Sequence, residues 1–310
     1  MKRGFLRLLV SAALLVLWPV GALAATVAIL LGGSGGGYVE VSEAIQAELR
    51  KQANTRVLIG QAGPQPLDEL ALSNSQLLIA VGAKAAQQAL RQADNRTLIL
   101  CVLLPRATFE ALLMQQRQTD GRRVSAVYLD QPLGRQVELI RQALPRQTRV
   151  GAVFGPGSAA ELERTRALLD GRGLKLVSET LQGDSELFAA LQRVMGGSEV
   201  FLAVPDAQVI NPDTVQNLLL TSFRFRIPVV GYSASSVRAG ATLAVFSTPQ
   251  QIGQQAGELA RQVLRGGALP APQYPRYFSV LSNRQMANSL NLGIDDDASL
   301  KERLLRLERE

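Results

Sequence analysis

The 310-residue chain contains no histidine and one cysteine. Without an imidazole there is no side chain that titrates near neutrality as a general base, no His-containing triad and no ordinary zinc set. One cysteine excludes a disulfide within the chain. Cys101 lies inside Thr97-Leu98-Ile99-Leu100-Cys101-Val102-Leu103, a run that reads as a buried strand, and has no basic neighbour to activate it. Aromatic residues make up 5% of the chain, which argues against a sugar site built on stacked rings. Dense basic blocks are also missing. The arginines are scattered beside Gln or Leu, so neither a nucleic-acid partner nor a membrane footprint is expected.

What is there begins with a leader. Met1-Lys2-Arg3 supplies positive charge, Leu6 to Trp18 an apolar run, Pro19 and Gly21 a helix break, and Ala22-Leu23-Ala24 a small-residue cleavage signal. The apolar run is shorter than the roughly 20 residues that span a bilayer. A secretory signal peptide over residues 1–24, cleaved after Ala24, is therefore expected, with a soluble mature chain. Its removal takes Lys2, Arg3 and Arg7, and the formal charge drops from +7 to +4. The remaining length exceeds what one core usually holds, and two lobes are expected.

Short runs of Val, Ile and Leu alternate with segments of helical period, the pattern of an α/β protein with buried parallel strands. Strands are expected over residues 26–31, 56–60, 77–81, 97–103, 125–129, 149–154, 174–178, 199–204, 228–231, 242–247 and 277–281. Val41, Ile45 and Leu49 mark one face of the first helix. Leu162, Leu168 and Leu169 fall in a helix that starts near Ser158 and stops at Gly171, and Asp184 is placed to cap the helix running to Gly196. One strand-helix series ends near Ser125 and a second starts there, each the length of a doubly wound half. Asp295-Asp296-Asp297 lacks the alternating oxygen ligands of a calcium loop, and Ser299-Leu300-Lys301-Glu302 fits a capping box for the last helix. No metal and no cofactor is expected.

Gly32-Gly33-Ser34-Gly35-Gly36-Gly37-Tyr38 follows the first strand, where a nucleotide-binding protein carries its phosphate loop. Gly32 and Gly37 match the glycines of G-x-x-x-x-G-K-[ST], but Tyr38 stands in the lysine position and Val39 in the hydroxyl position. A G-x-G-x-x-G read from Gly33 fails at Tyr38. Two readings remain open: an anion held by backbone amides with Ser34 and Tyr38, or a turn in which glycine only permits the bend. Other strand ends offer comparable openings at Gly82-Ala83, Gly155-Pro156-Gly157-Ser158 and Gly231-Tyr232-Ser233. Ligands of doubly wound sheets bind beyond the carboxyl ends of the strands, so these loops converge if two lobes face each other. Asp206 is the expected carboxylate of such a loop, or a simple turn cap, and Arg106 the candidate cation.

The second half carries a resemblance. Ile227-Pro228-Val229-Val230-Gly231-Tyr232-Ser233, Val237-Arg238-Ala239-Gly240-Ala241, Gly253-Gln254-Gln255-Ala256-Gly257-Glu258-Leu259-Ala260 and Ser282-Asn283-Arg284-Gln285-Met286-Ala287 resemble the ABC transporter substrate-binding proteins of the type I periplasmic fold. Asp130-Gln131-Pro132 resembles the start of that family's second lobe. The resemblance implies an α/β protein of two Rossmann-like doubly wound lobes joined by three hinge crossings. Lobe I would span 25–127 and 246–275, lobe II 128–245 and 276–310. It implies a periplasmic, monomeric and non-enzymatic protein that closes over a small solute and passes it to an inner-membrane ABC permease. Ser34, Gly35, Tyr38, Gly82, Ala83, Arg106, Gly155, Ser158, Asp206, Tyr232 and Ser233 would form the cleft, with Asp206 on the amine of a small amino acid or related organic anion. The chain departs from the family at Leu104-Pro105, where relatives often carry Asp-Pro, and in the glycine loop. Those departures motivate two alternatives, a sensory or assembly partner that keeps the fold without feeding a permease, and an exported enzyme using the glycine loop.

Overall fold

A computed structural model describes residues 25–69, 71–94, 96–115, 123–181 and 186–309. The expected leader, and Asp184 with its capping role, lie outside them. The first half forms strands β1 (Ala25–Leu31), β2 (Thr55–Gln61), β3 (Leu77–Val81), β4 (Leu98–Leu104) and β5 (Val124–Tyr128), with helices α1 (Gly36–Leu49), α2 (Ala83–Gln92) and α3 (Arg106–Gln115) between them. The five strands are parallel in the order β2-β1-β3-β4-β5. Every residue of β3 and β5 is buried, as expected of strands covered by helices on both faces. The order reverses between β1 and β3, and the crevice at that switch point is where the glycine loop and Gly82 sit.

The second half continues with α4 (Leu133–Ala143), β6 (Arg149–Phe154), a short 3₁₀ turn (Ala159–Glu161), α5 (Leu162–Asp170), β7 (Lys175–Thr180), α6 (Leu187–Gly197), β8 (Val200–Leu202), α7 (Val215–Arg224), β9 (Val229–Gly231), α8 (Ala234–Ala239) and β10 (Leu243–Phe246). Helix α9 (Pro249–Leu264), β11 (Ser279–Ser282), α10 (Arg284–Ser289) and α11 (Asp297–Leu307) complete the chain. The second sheet runs β11-β10-β9-β8-β6-β7, parallel except for β11, which pairs antiparallel with β10. Here the order reverses between β6 and β8.

Each sheet is sandwiched between two apolar clusters. In the first, Val41, Ile45 and Leu49 are buried as their spacing predicts, and α9 returns from the second sheet to cover the same face. Gly253 and Gly257 let α9 approach α1 closely, and Glu48 is buried between them, paired with Lys51 at 2.5 Å and Arg261 at 3.0 Å. The expected strand near Ser125 is the edge of the first sheet and closes the first series, and the second series starts after it. Of the three leucines expected in one helix, Leu169 is buried, while Leu162 and Leu168 are only half-buried. The last helix is capped by Asp296, which accepts from Ser299 N at 2.9 Å and Ser299 Oγ at 2.6 Å, so Ser299 is the partner and not the cap. Asp297 accepts from Ser282 Oγ at 2.5 Å, and Asp295 pairs with Arg303 at 2.6 Å.

Cys101 is fully buried in β4, and burial pushes its thiol up to about 12. Ellman's reagent is expected to detect no thiol in the folded protein and one per chain after denaturation. Rapid reaction without denaturant would mean that the first sheet opens readily.

Candidate functional site

A cavity of about 470 Å³ lies between the carboxyl ends of the two sheets, within the roughly 300–1,000 Å³ usual for small-ligand sites. The chain crosses between the sheets three times around it: after β5, after β10, and between α9 and β11. A more open depression of about 750 Å³ on the outer face of α1, bordered by Glu40, Glu43, Arg50 and Gln250, has no second lobe to enclose a ligand.

The floor of the cavity starts at β4. Leu103 has φ of 57°, and the β4–β5 register shifts between Val102 and Leu104. This bulge turns the strand end, and Leu104-Pro105 falls on it. Arg106 follows at the start of α3 and donates through Nη1 to Tyr274 Oη at 3.2 Å and through Nε to Glu110 at 2.7 Å. The bond to Tyr274 and then that to Glu110 hold its guanidinium more firmly protonated than usual. Tyr274 stands edge-on to Tyr128, their centroids 5.3 Å apart, making an aromatic wall from the third crossing.

Asp130, on the first crossing, borders the cavity and accepts the Arg106 amide at 2.5 Å. Burial raises its carboxyl above the usual range against that hydrogen bond, and nearby Glu161 adds to the rise. Across the cleft, Ser158, Glu161 and Arg164 come from the loop and helix after β6, and Tyr232, Ser233 and Arg238 from the segment after β9. Ser233 caps α8 by accepting from Ser236 N at 3.1 Å. Phe246 and Leu129 add apolar surface. Among the described residues, Arg238 has no acidic partner.

Of the residues expected from sequence, Arg106, Ser158, Tyr232 and Ser233 line this cavity. Gly155 and Asp206 lie just beneath it. Asp206 is 8% exposed and turns inward, accepting from Ser158 Oγ at 2.8 Å and Gln208 N at 2.9 Å. A Cβ at Gly155 would stand 2.4 Å from its Oδ1, so glycine is what admits the carboxylate. Asp206 thus joins the ends of β6 and β8 at their switch point, and the carboxylates that border the cavity are Asp130, Glu110 and Glu161, of which Glu110 pairs with Arg106 and Glu161 with Arg164. Ser34, Gly35, Tyr38, Gly82 and Ala83 are not on the cavity wall. The Tyr38 ring covers the glycine loop: a Cβ at Gly82 would be 2.7 Å from Tyr38 Cε1 and one at Gly33 2.9 Å from Cε2. Gly82 also has φ of 87°, a conformation that side chains resist. These contacts favour the bend over the anion site.

The family model described as ABC transporter substrate binding protein matches residues 61–300. A tyrosine-binding protein of Clostridioides difficile (strain R20291) is 21% identical over 193 residues, which are 61% of this chain and 55% of that protein, so the match spans about half of that relative's length. Among solved structures, a ligand-free, open substrate-binding protein with adhesive properties from Clostridium difficile superposes with a TM-score of 0.68 at 14% identity, covering 88% of this chain and 97% of that one. A domain from Streptococcus pneumonia in complex with L-Trp gives 0.60 at 15% identity, covering 90% and 97%.

Proposed function

The chain belongs to the ABC transporter substrate-binding proteins, and from that premise we propose that it captures an amino acid with an aromatic or large apolar side chain in the interlobe cleft and delivers it to an inner-membrane permease. The observation that carries the reading is Asp130, a partly desolvated carboxylate on the cavity wall, where Glu110 and Glu161 are engaged by Arg106 and Arg164 and where Tyr274, Phe246, Tyr232 and Leu129 supply apolar surface. An ammonium is the group that repays such a carboxylate for its burial. Arg238, without an acidic partner among the described residues, receives the ligand carboxylate from the opposite lobe, and the rings take the side chain. The tyrosine-binding relative and the L-Trp complex support the aromatic class. Lobe I comprises residues 25–127 and 246–275, lobe II 128–245 and 276–310, and closure of one on the other excludes water from the ion pairs. A leader removed after Ala24 places the protein in the periplasm as a monomer with no catalytic activity.

Thermal unfolding of residues 25–310 tests this. A ligand at 100 times its dissociation constant adds about 2.7 kcal/mol, which moves the midpoint by several degrees in a chain of this size. L-tyrosine, L-tryptophan, L-phenylalanine or L-leucine is expected to give that shift. Tyramine and 3-(4-hydroxyphenyl)propionate, lacking carboxylate and ammonium respectively, are expected to give little. No shift with any amino acid would overturn the reading and favour a protein that engages a macromolecular partner.

A further inference from the structure

Arg135 lies on α4, outside the cavity, and is 7% exposed. It grips Glu308, just past the end of α11, through two hydrogen bonds, Nε to Oε1 at 2.5 Å and Nη2 to Oε2 at 2.9 Å. Its Nη1 donates to Gln131 Oε1 at 2.5 Å and to the Pro275 carbonyl at 3.0 Å, and the guanidinium carbon sits 4.1 Å above the centre of the Phe278 ring. The chain of donors continues. Gln131 Nε2 donates to Ser247 Oγ at 2.9 Å, and Ser247 Oγ to the Tyr277 carbonyl at 2.5 Å.

Gln131 belongs to the first crossing, Ser247 to the second, and Pro275 and Tyr277 to the third. One network, buried except at Glu308, therefore links all three crossings to the C-terminal segment. Its polarity is fixed at the source: a guanidinium only donates, so the Gln131 carbonyl must face Arg135 and its amide must face Ser247. Gln131 and Ser247 both border the cavity. We infer that Arg135, held by Glu308, is a positioning residue for ligand capture: it sets the resting angle between the lobes and the orientation of Gln131, and so places ligand affinity under the control of the C-terminal segment. The inference rests on the cleft being the ligand site. Helix α11 is anchored through buried Leu300 and Leu304, so Glu308 can be altered without exposing a core residue.

Nitroxide labels at Lys84→Cys and Ala160→Cys, exposed positions on the two lobes, report the interlobe distance by double electron–electron resonance, while buried Cys101 stays unlabelled. In the unliganded protein, Glu308→Gln is expected to broaden the distance distribution relative to wild type and Glu308→Asp to restore it. L-tyrosine and L-tryptophan titrations are expected to show affinity weakened about tenfold or more in Glu308→Gln, with the unfolding midpoint within a few degrees of wild type. An unchanged distribution and unchanged affinity in Glu308→Gln would overturn the inference, whatever happens to the midpoint, because Glu308 would then only hold α11 in place. If wild type bound neither amino acid, the cleft reading would fail, and the distance measurement would still decide whether Arg135 sets the lobe angle.

Discussion

Asp130→Asn is expected to weaken amino-acid binding by about a hundredfold or more while leaving the fold intact. Removing one partner of a desolvated, hydrogen-bonded charge pair costs about 2–5 kcal/mol in binding, and the ligand ammonium would lose its only full counter-charge on the first crossing. Asparagine keeps the shape and can still accept the Arg106 amide, so the turn after β5 survives. Stability should move the other way. Burial raises the Asp130 carboxyl, which means the folded protein binds that proton more tightly than the unfolded chain does. The unliganded protein therefore bears a cost for the charged form at neutral pH, and loses that cost as pH falls through the raised range. Asp130→Asn removes it at every pH, so its unliganded midpoint at neutral pH is expected to equal or exceed that of wild type.

The same titration gives binding a pH dependence of opposite sign. Affinity is full above the Asp130 range and falls as pH drops through it, up to tenfold per unit, because the neutral carboxyl no longer attracts the ammonium. The decline should begin at higher pH than an ordinary carboxylate would give. Calorimetric titration of wild type and Asp130→Asn between neutral and acidic pH checks this. Equal affinities at neutral pH would remove Asp130 from the site.

Why the sequence points to Asp206 and not Asp130 has a physical answer. Both residues follow strands, and a search of strand ends for carboxylates meets both. What decides between them is direction, and direction depends on a neighbour from another strand. Gly155 has no side chain, so the end of β6 leaves a space that the Asp206 carboxylate fills, with Ser158 donating to it. No periodicity within residues 199–208 encodes that space. Asp130, by contrast, reads from sequence as the start of the second lobe, and nothing in Asp130-Gln131-Pro132 shows that this boundary faces the cleft until the two sheets stand opposite each other. The central strands were legible because parallel strands buried on both faces are continuous apolar runs, and all eleven expected runs are strands, two with the expected bounds and nine displaced at an end by a residue or two. The glycine loop was legible as a turn but not as a ring-covered one, since Tyr38 reaches Gly82 only after β1 and β3 become neighbours.

Gly253→Leu and Gly257→Leu are expected to be the most damaging single changes to the first lobe. These glycines are one turn apart on α9 and face α1. A Cβ at Gly253 would stand 2.5 Å from the Val41 carbonyl oxygen and 2.7 Å from Ala44 Cβ; at Gly257 it would stand 2.4 Å from Glu48 Cβ and 3.1 Å from the Ile45 carbonyl oxygen. Backbone and Cβ atoms cannot rotate away, so one helix has to move. Helix propensity opposes this by up to about 1 kcal/mol in favour of leucine over glycine, whereas overpacking costs about 1–3 kcal/mol and sometimes more. With several whole atoms added to a gap that does not admit one, overpacking wins. Displacing α9 also strains the Glu48–Arg261 pair and moves Thr248 and Pro249, which border the cavity. Gly196→Ala is the control. It lies in the last turn of α6, where the nearest atom to a new Cβ is Phe225 Cε1 at an ordinary 3.7 Å, so propensity alone acts and the midpoint should hold or rise slightly. Scanning calorimetry of the three variants, with Cys101 reactivity as a local probe of the first sheet, separates the outcomes. Midpoints for Gly253→Leu and Gly257→Leu no lower than that of Gly196→Ala would mean that α1 and α9 are free to part, and that the cavity rim carried by α9 is not held by this contact.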